Sequence, residues 1–400
     1  MSHHLDIDPS LDEKESISRM RKFIGLCGDT GKVLLALKLG SLMLSAYFEA
    51  GMNPHICINL LGSTGMKKTT YASYLIQTYD RKKSIQQPVR LTASLAASTQ
   101  ILMNTRDDVV IFDDLCPSDY SDIKKQQEET FTQVIRYVGD GSVPARLKGK
   151  SISEIAPQCS VLFTSEYNIC TGSDAARVLT VNMNHVDDKG LEYFQDRPLI
   201  VSTFYHHFVK WFVNHYDAVV DKFKKKNETS RETQCGFHKR LQQTIYFLHA
   251  AYDIFLRYCF ENQLIEAWAV KKEEEDFWIM LDSFAKEQEK RVRQKKFIET
   301  TPTDYIAQIR NMVCNNQLTV APNKAQFSKG RYDALIYDGC IYITSQGLHK
   351  CFPDYSFRNI IRKLKDEGYL QYCENEKQFS KHIFGLGGQR FYVFHLGLFK

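Results

Sequence analysis

Residues 56 to 70 run from the apolar ICINLL into GSTGMKKTT, and the helical pattern YASYLIQTY follows. Strand, glycine loop and helix in that order make a place for a polyphosphate. Successive backbone N–H groups and the positive end of the helix can surround the anion. The loop residues are Gly62, Ser63, Thr64, Gly65, Met66, Lys67, Lys68, Thr69 and Thr70. Lys68 would neutralise the outer phosphates of ATP and the Thr69 hydroxyl would ligate Mg2+, while Gly62 and Gly65 allow the tight path. One position departs from G-x-x-x-x-G-K-[ST]: Lys67 stands where the second glycine belongs, which demands a backbone conformation that a side chain can tolerate.

Forty-five residues after Lys68, DDVVIFDDLC places four apolar residues directly before Asp113 and Asp114. A buried strand that ends in two carboxylates supplies the other half of a nucleotide-hydrolysing site. Asp113 would hold the metal, and Asp114 would act as general base toward the attacking water. A further apolar run, CSVLFTSE, is expected between these two strands and presents Thr164 at its end. In TGSDAARVLTVNM, Arg177 just precedes another strand. It can reach a neighbouring subunit's ATP as an arginine finger, or form a surface salt bridge. Arg146, Lys148 and Lys150 in VPARLKGKSISE recur with a period of two, so on a β-hairpin they share one face. Such a face tracks a nucleic-acid backbone in a ring pore, or is a solvated basic loop. A second glycine-rich stretch, GDTGK at 28 to 32, has no preceding strand and is expected to be a loop.

The elements that must position these residues are legible around them. Residues 12 to 50 read as helical and stop at Gly51. HICINLL, PVRLT, DVVIFDD, CSVLFTS and RVLTVNM read as buried strands alternating with helices, the pattern of a parallel sheet covered on both faces. From about 196 to 298 only long aromatic-rich helical patterns appear. Residues 301 to 400 then give a helix, a hairpin candidate turning at Asp338 and Gly339, two short helices and the closing strand RFYVFHL, an order suited to a winged helix. This last stretch holds 13 Lys or Arg against 8 Asp or Glu, so it carries the whole net charge of +5. Its helix PDYSFRNIIRKLKDEGYL offers the basic Arg358, Arg362, Lys363 and Lys365, which suit contact with duplex DNA, although a winged helix also serves as a protein-docking module.

With 400 residues, 43% hydrophobic and 25% charged, the chain is too apolar for wholesale disorder and lacks an apolar run long enough to span a membrane. The polar first twenty residues argue against a signal peptide, so a cytoplasmic location is expected. Eleven cysteines without a C-x-x-C pair are expected to be reduced and mostly buried.

The order of GDTGKVLLALKLGSLMLSAYF, GSTGMKKTT, VVIFDD, VIRYVGDGSVPARLKGK, VLFTSE and TGSDAARVLTV resembles the MCM-like AAA+ replicative helicases of staphylococcal cassette chromosomes and related mobile elements. The resemblance spans roughly residues 25 to 245. It implies an α/β fold, namely an AAA+ P-loop NTPase core with a parallel sheet, an all-helical lid and a C-terminal winged-helix domain. The corresponding division is 1–50, 51–195, 196–298 and 299–400. It further implies a homo-hexameric, ATP- and Mg2+-dependent helicase acting on single-stranded and duplex DNA, with Arg177 as trans finger and Arg240 as a second sensor reaching the γ phosphate. The alternative is a non-motor AAA+ switch that acts as a DNA-bound loader or regulator.

Overall fold

The computed structural model describes residues 6–76, 88–117, 120–143, 146–148, 151–153, 156–170, 172–232, 236–296, 302–328, 330–352, 357–371, 380–383, 386 and 389–399. The chain divides into two compact units, Met1–Lys295 and Lys296–Lys400.

The first unit opens with α1 (Glu13–Gly25), α2 (Gly28–Leu42) and α3 (Leu44–Glu49). The segment GDTGK is thus the first turns of α2 and not the loop expected from the sequence. Gly31 explains why: a Cβ there would fall 2.1 Å from the Ile24 carbonyl oxygen and 2.6 Å from the Tyr71 hydroxyl. The glycine lets α2 pass close to its neighbours, and its role is packing. Next come β1 (Cys57–Leu61), α4 (Lys68–Ile76), β2 (Val89–Arg90), α5 (Leu95–Asn104), β3 (Arg106–Leu115) and α6 (Ser121–Gly139). A hairpin of β4 (Arg146–Lys148) and β5 (Ser151–Ser153) follows, then β6 (Gln158–Ser165), α7 (Gly172–Ala175), β7 (Leu179–Asn182) and α8 (Asp188–Gln195). Four long helices complete this part: α9 (Leu199–Asn214), α10 (Tyr216–Glu232), α11 (Lys239–Glu261) and α12 (Ala267–Lys296).

The five strands expected from the sequence form one parallel sheet in the order β2-β3-β6-β1-β7. Their side chains alternate between two cores. Val109, Ile111, Leu162 and Leu179 face the helical layer, while Val110, Phe112, Val161 and Phe163 face α5 and α6 through Leu102, Phe131 and Ile135. Burial on both faces is why these strands read as continuous apolar runs. The helices before and after the sheet share the first of these cores. A Cβ at Gly40 of α2 would fall 2.5 Å from the ring of Phe247 in α11, and the Tyr47 hydroxyl donates to the Phe247 carbonyl at 2.9 Å. Lys38 is fully buried on α2 and pairs with Asp108, which ties that layer to β3. None of the described helices is long and apolar enough to cross a membrane. The nine described cysteines are free, seven of them buried.

The second unit contains α13 (Pro302–Cys314), β8 (Val320–Ala321), β9 (Ala334–Tyr337), β10 (Cys340–Thr344), α14 (Ser345–Cys351), α15 (Phe357–Asp366), β11 (Leu370–Gln371), β12 (Lys381–His382) and β13 (Arg390–His395). Strands β9 and β10 form the expected hairpin, with Asp338 at φ 48° and Gly339 at φ 67° in the turn. Two consecutive left-handed residues match the twist of the flanking strands. Strand β13 pairs antiparallel with β10, β11 and β12. Ile309, Leu348, Ile361, Leu364 and Phe394 join the helices to this sheet.

Candidate active site

The C-terminal ends of β1, β6 and β3 lie side by side, which is where open α/β sheets leave a crevice for ligands. The chain leaves β1 through Gly62, whose N–H donates to the Ser165 carbonyl at 3.0 Å, and re-enters regular structure at Lys68, the first residue of α4. Gly65 has φ 85° and Lys67 has φ 56°. Lys67 therefore takes the left-handed conformation that the missing glycine would have supplied, at a cost on the order of 1–3 kcal/mol that the surrounding loop must hold. Its ammonium pairs with Asp188 of α8 at 2.8 Å, and that hydrogen bond and charge hold the Asp188 carboxyl below the usual carboxylate range.

Lys68 is 9% exposed, and its ammonium donates to the carbonyls of Gly62 at 2.7 Å and Ser63 at 2.9 Å. The first turn of α4 presents backbone N–H groups without helical partners beside it. The Thr69 hydroxyl donates to Asp113 Oδ1 at 2.5 Å, and the Thr164 hydroxyl donates to the same oxygen. One carboxylate, from β3, thus gathers hydroxyls from α4 and from the central strand β6. The two hydroxyls are 3.5 Å apart. Asp114 follows at φ 78°, within a bulge that shifts the β3–β6 register between Phe112 and Leu115. Its N–H donates to Thr164 Oγ1 at 3.3 Å, and its carbonyl accepts from Gln127 Nε2 of α6 at 2.9 Å. These bonds hold the bulge that sets two successive residues of one strand on the rim of one crevice.

Around these groups lies a cleft of about 330 Å³ lined by residues of the loop together with Asp113, Asp114, Thr164 and Glu166. Lys68, Thr69, Asp113, Asp114 and Thr164, expected from the sequence to act together, are together. Glu166 was not expected: it accepts from the Thr64 hydroxyl at 2.5 Å, and its only sequence signal is its place directly after the strand end that carries Thr164. Gln127 was equally illegible, because a glutamine in a helix has no spacing that marks it.

The two arginines go elsewhere. Arg177 lies against Gly139 and does not project into solvent: it makes a bidentate pair with Asp140 at 2.9 and 3.2 Å and donates to the Ser173 carbonyl at 2.7 Å. Arg240, at the start of α11, pairs with the same Asp140 carboxylate at 2.7 Å. They border a second cleft of about 280 Å³ with Asn53, His55 and Gln243, and it shares no lining residue with the first. Burial, and the Arg240 charge beside it, lower the His55 pKa from the ordinary imidazole value. Arg240 is thus not at the loop from Gly62 to Lys68 of its own chain, because Asp140 holds it at the far end of α6. From Gln127 to Asp140 is thirteen helical steps, about 20 Å.

Of the residues expected to meet DNA, Arg146 and Lys148 occupy alternate positions of β4, paired in register with Ser153 and Ser151. Lys150 lies outside the described residues. Arg358 and Arg362 both fall on α15, where Arg362 is exposed.

No protein-family model matches the chain, and no curated protein matches it in sequence. Solved structures resemble it in fold. One described as "SCCmec type IV Cch - active helicase" aligns with a TM-score of 0.50 at 14% identity, over 99% of this chain and 73% of that one. The C-terminal region of NrS-1 in its apo form aligns at a TM-score of 0.29 and 10% identity, over 70% and 68% of the two chains. An inhibitor-bound JCV helicase aligns at 0.28 and 10% identity, over 68% and 74%. The first shows a fold likeness between this chain and a structure described as a helicase.

Proposed function

We propose that the chain is an ATP-dependent DNA helicase of the MCM-like AAA+ class, working as a homo-hexamer in the replication of a mobile element. The observation that carries the reading is the convergence of Lys68, Thr69, Asp113 and Thr164 on one cleft at the ends of three adjacent parallel strands. The fold likeness to the SCCmec helicase structure supports it.

The donor set fits Mg2+ and a triphosphate, since Thr69 and Asp113 offer hard oxygens at one point and Lys68 offers a cation beside the loop. When bound, Mg2+ would offset the charge that develops on the phosphate oxygens. The chain's own residues have separate tasks. Lys68 exchanges its two loop carbonyls for phosphate oxygens. Thr164 keeps the Asp113 carboxylate oriented. Asp114, on the rim, takes the proton of the attacking water. Arg177 and Arg240, held together on Asp140 at the second cleft, would serve the ATP of an adjacent subunit once they exchange that carboxylate for phosphate. Helices α9 to α12 take the part of the lid, and the second unit that of the winged helix, with α15 toward duplex DNA.

The hairpin of β4 and β5 separates a motor from a switch. Replacing Arg146, Lys148 and Lys150 together by Ala should flatten the salt dependence of single-strand binding, leave DNA-free ATP hydrolysis within about twofold of the parent, and reduce unwinding at least about tenfold. Parental unwinding by this triple variant would leave the hairpin a solvated loop and favour a non-motor AAA+ switch.

A further inference from the structure

The phosphate cleft contains one carboxylate that neither the metal position nor the general base uses. Glu166 is fixed through its backbone: its N–H donates to the Leu115 carbonyl at 2.9 Å, and the carbonyl of the preceding Ser165 accepts from Gly62 at 3.0 Å. The side chain therefore starts between the root of the phosphate loop and the end of β3, and it crosses to Thr64 at the loop's apex, 2.5 Å away. Residues 63 to 65 are the part of such a loop that wraps a polyphosphate, so the Glu166 carboxylate stands where the ligand's negative charge arrives. With Asp113 and Asp114 it makes three carboxylates on the cleft against Lys68, because Lys67 is paired to Asp188. A polyphosphate without its cation meets net repulsion there.

We propose that Glu166 is a specificity-determining residue of this cleft: through Thr64 it holds the loop, and by its charge it makes the site select a nucleotide polyphosphate that brings a divalent cation. This rests on the reading of the cleft as a nucleotide site. The loop meets phosphates through its backbone N–H groups, and the nearby carboxylate is tolerated only where a cation offsets the phosphates. Glu166→Gln separates the two roles, since the amide oxygen still accepts from Thr64 while the charge is gone. Thr64→Val does the converse, removing the hydroxyl and leaving the charge.

The test measures dissociation constants of the full chain for a ribose-labelled fluorescent ATP analogue, with Mg2+ and with EDTA. The quantity of interest is the ratio of the EDTA value to the Mg2+ value. For Glu166→Gln this ratio should fall by about five- to tenfold, mainly because binding in EDTA tightens, while for Thr64→Val it should stay within about twofold of the parent. A merely structural Glu166 would weaken both conditions equally and leave the ratio unchanged, which would overturn the proposal. So would the same fall in Thr64→Val, because the loop and not the charge would then be responsible. If the parent chain bound the analogue in neither condition, the nucleotide reading itself would be lost and the proposal with it. Binding by the parent with an unmoved ratio in Glu166→Gln defeats the proposal alone.

Discussion

Replacing Lys68 by Ala is expected to lower ATP turnover by at least about a hundredfold without unfolding the chain. The ammonium bonds two carbonyls of its own loop, Gly62 and Ser63, and Lys68 is a member of neither hydrophobic core. The cost of its loss therefore falls on the ligand. A polyphosphate in this cleft would face Asp113, Asp114 and Glu166 with no unpaired side-chain cation left among the lining residues. Circular dichroism and thermal unfolding should match the parent, and labelled ATP should bind markedly less tightly. Turnover within about threefold of the parent would remove the basis for calling the cleft an ATPase site.

The second large effect concerns the other cleft. Arg177→Ala should keep ATP binding and lose about a thousandfold in hydrolysis, in line with the loss of an arginine finger. Asp113→Asn should fail for the opposite reason, since it damages the site that receives the finger. Mixed in varying ratios, the two inactive proteins should regain measurable hydrolysis, because some interfaces then pair an intact Asp113 with an intact Arg177. Both arginines sit on Asp140, about 20 Å along α6 from the bond between Gln127 and the Asp114 carbonyl, and so lie away from the Lys68 cleft of their own chain. No recovery at any ratio would return Arg177 to the status of an intrachain salt bridge.

How much of this was legible beforehand differs by residue. Strands β1, β3, β6 and β7 could be read because their central residues are buried on both faces, whereas β2 is only two residues long with Arg90 exposed. Val109 to Phe112 is the clearest case, serving both cores in alternation. The strand–loop–helix unit around Gly62 to Lys68 was legible despite Lys67, since strand, glycine and helix start are local features, and the left-handed Lys67 shows how the irregular position is accommodated. The hairpin at Asp338 and Gly339 was legible because an Asp-Gly pair encodes its own turn. The stretch from Gly28 to Lys32 was misread because its glycines look like turn residues. The reason for Gly31 is the backbone of Ile24 and the Tyr71 hydroxyl, and the second of these lies forty residues away. The partner of Arg240 was illegible for a related reason: Asp140 is a hundred residues distant, and no periodicity links the cap of α6 to the start of α11. Glu166 escaped notice because its role depends on the spacing between two strands, a tertiary quantity.

The central claim is that hydrolysis at the Lys68 cleft drives separation of DNA strands. The most direct measurement is strand displacement from a forked duplex by the full chain at varying protein concentration, with ATP and Mg2+, and with Lys68→Ala and a non-hydrolysable ATP analogue as controls. The account predicts displacement that requires hydrolysable ATP, is absent in Lys68→Ala, and rises more steeply than linearly with protein concentration, as assembly of a ring demands. A parent chain that hydrolyses ATP and binds the fork, yet releases no strand under any of these conditions, would contradict it.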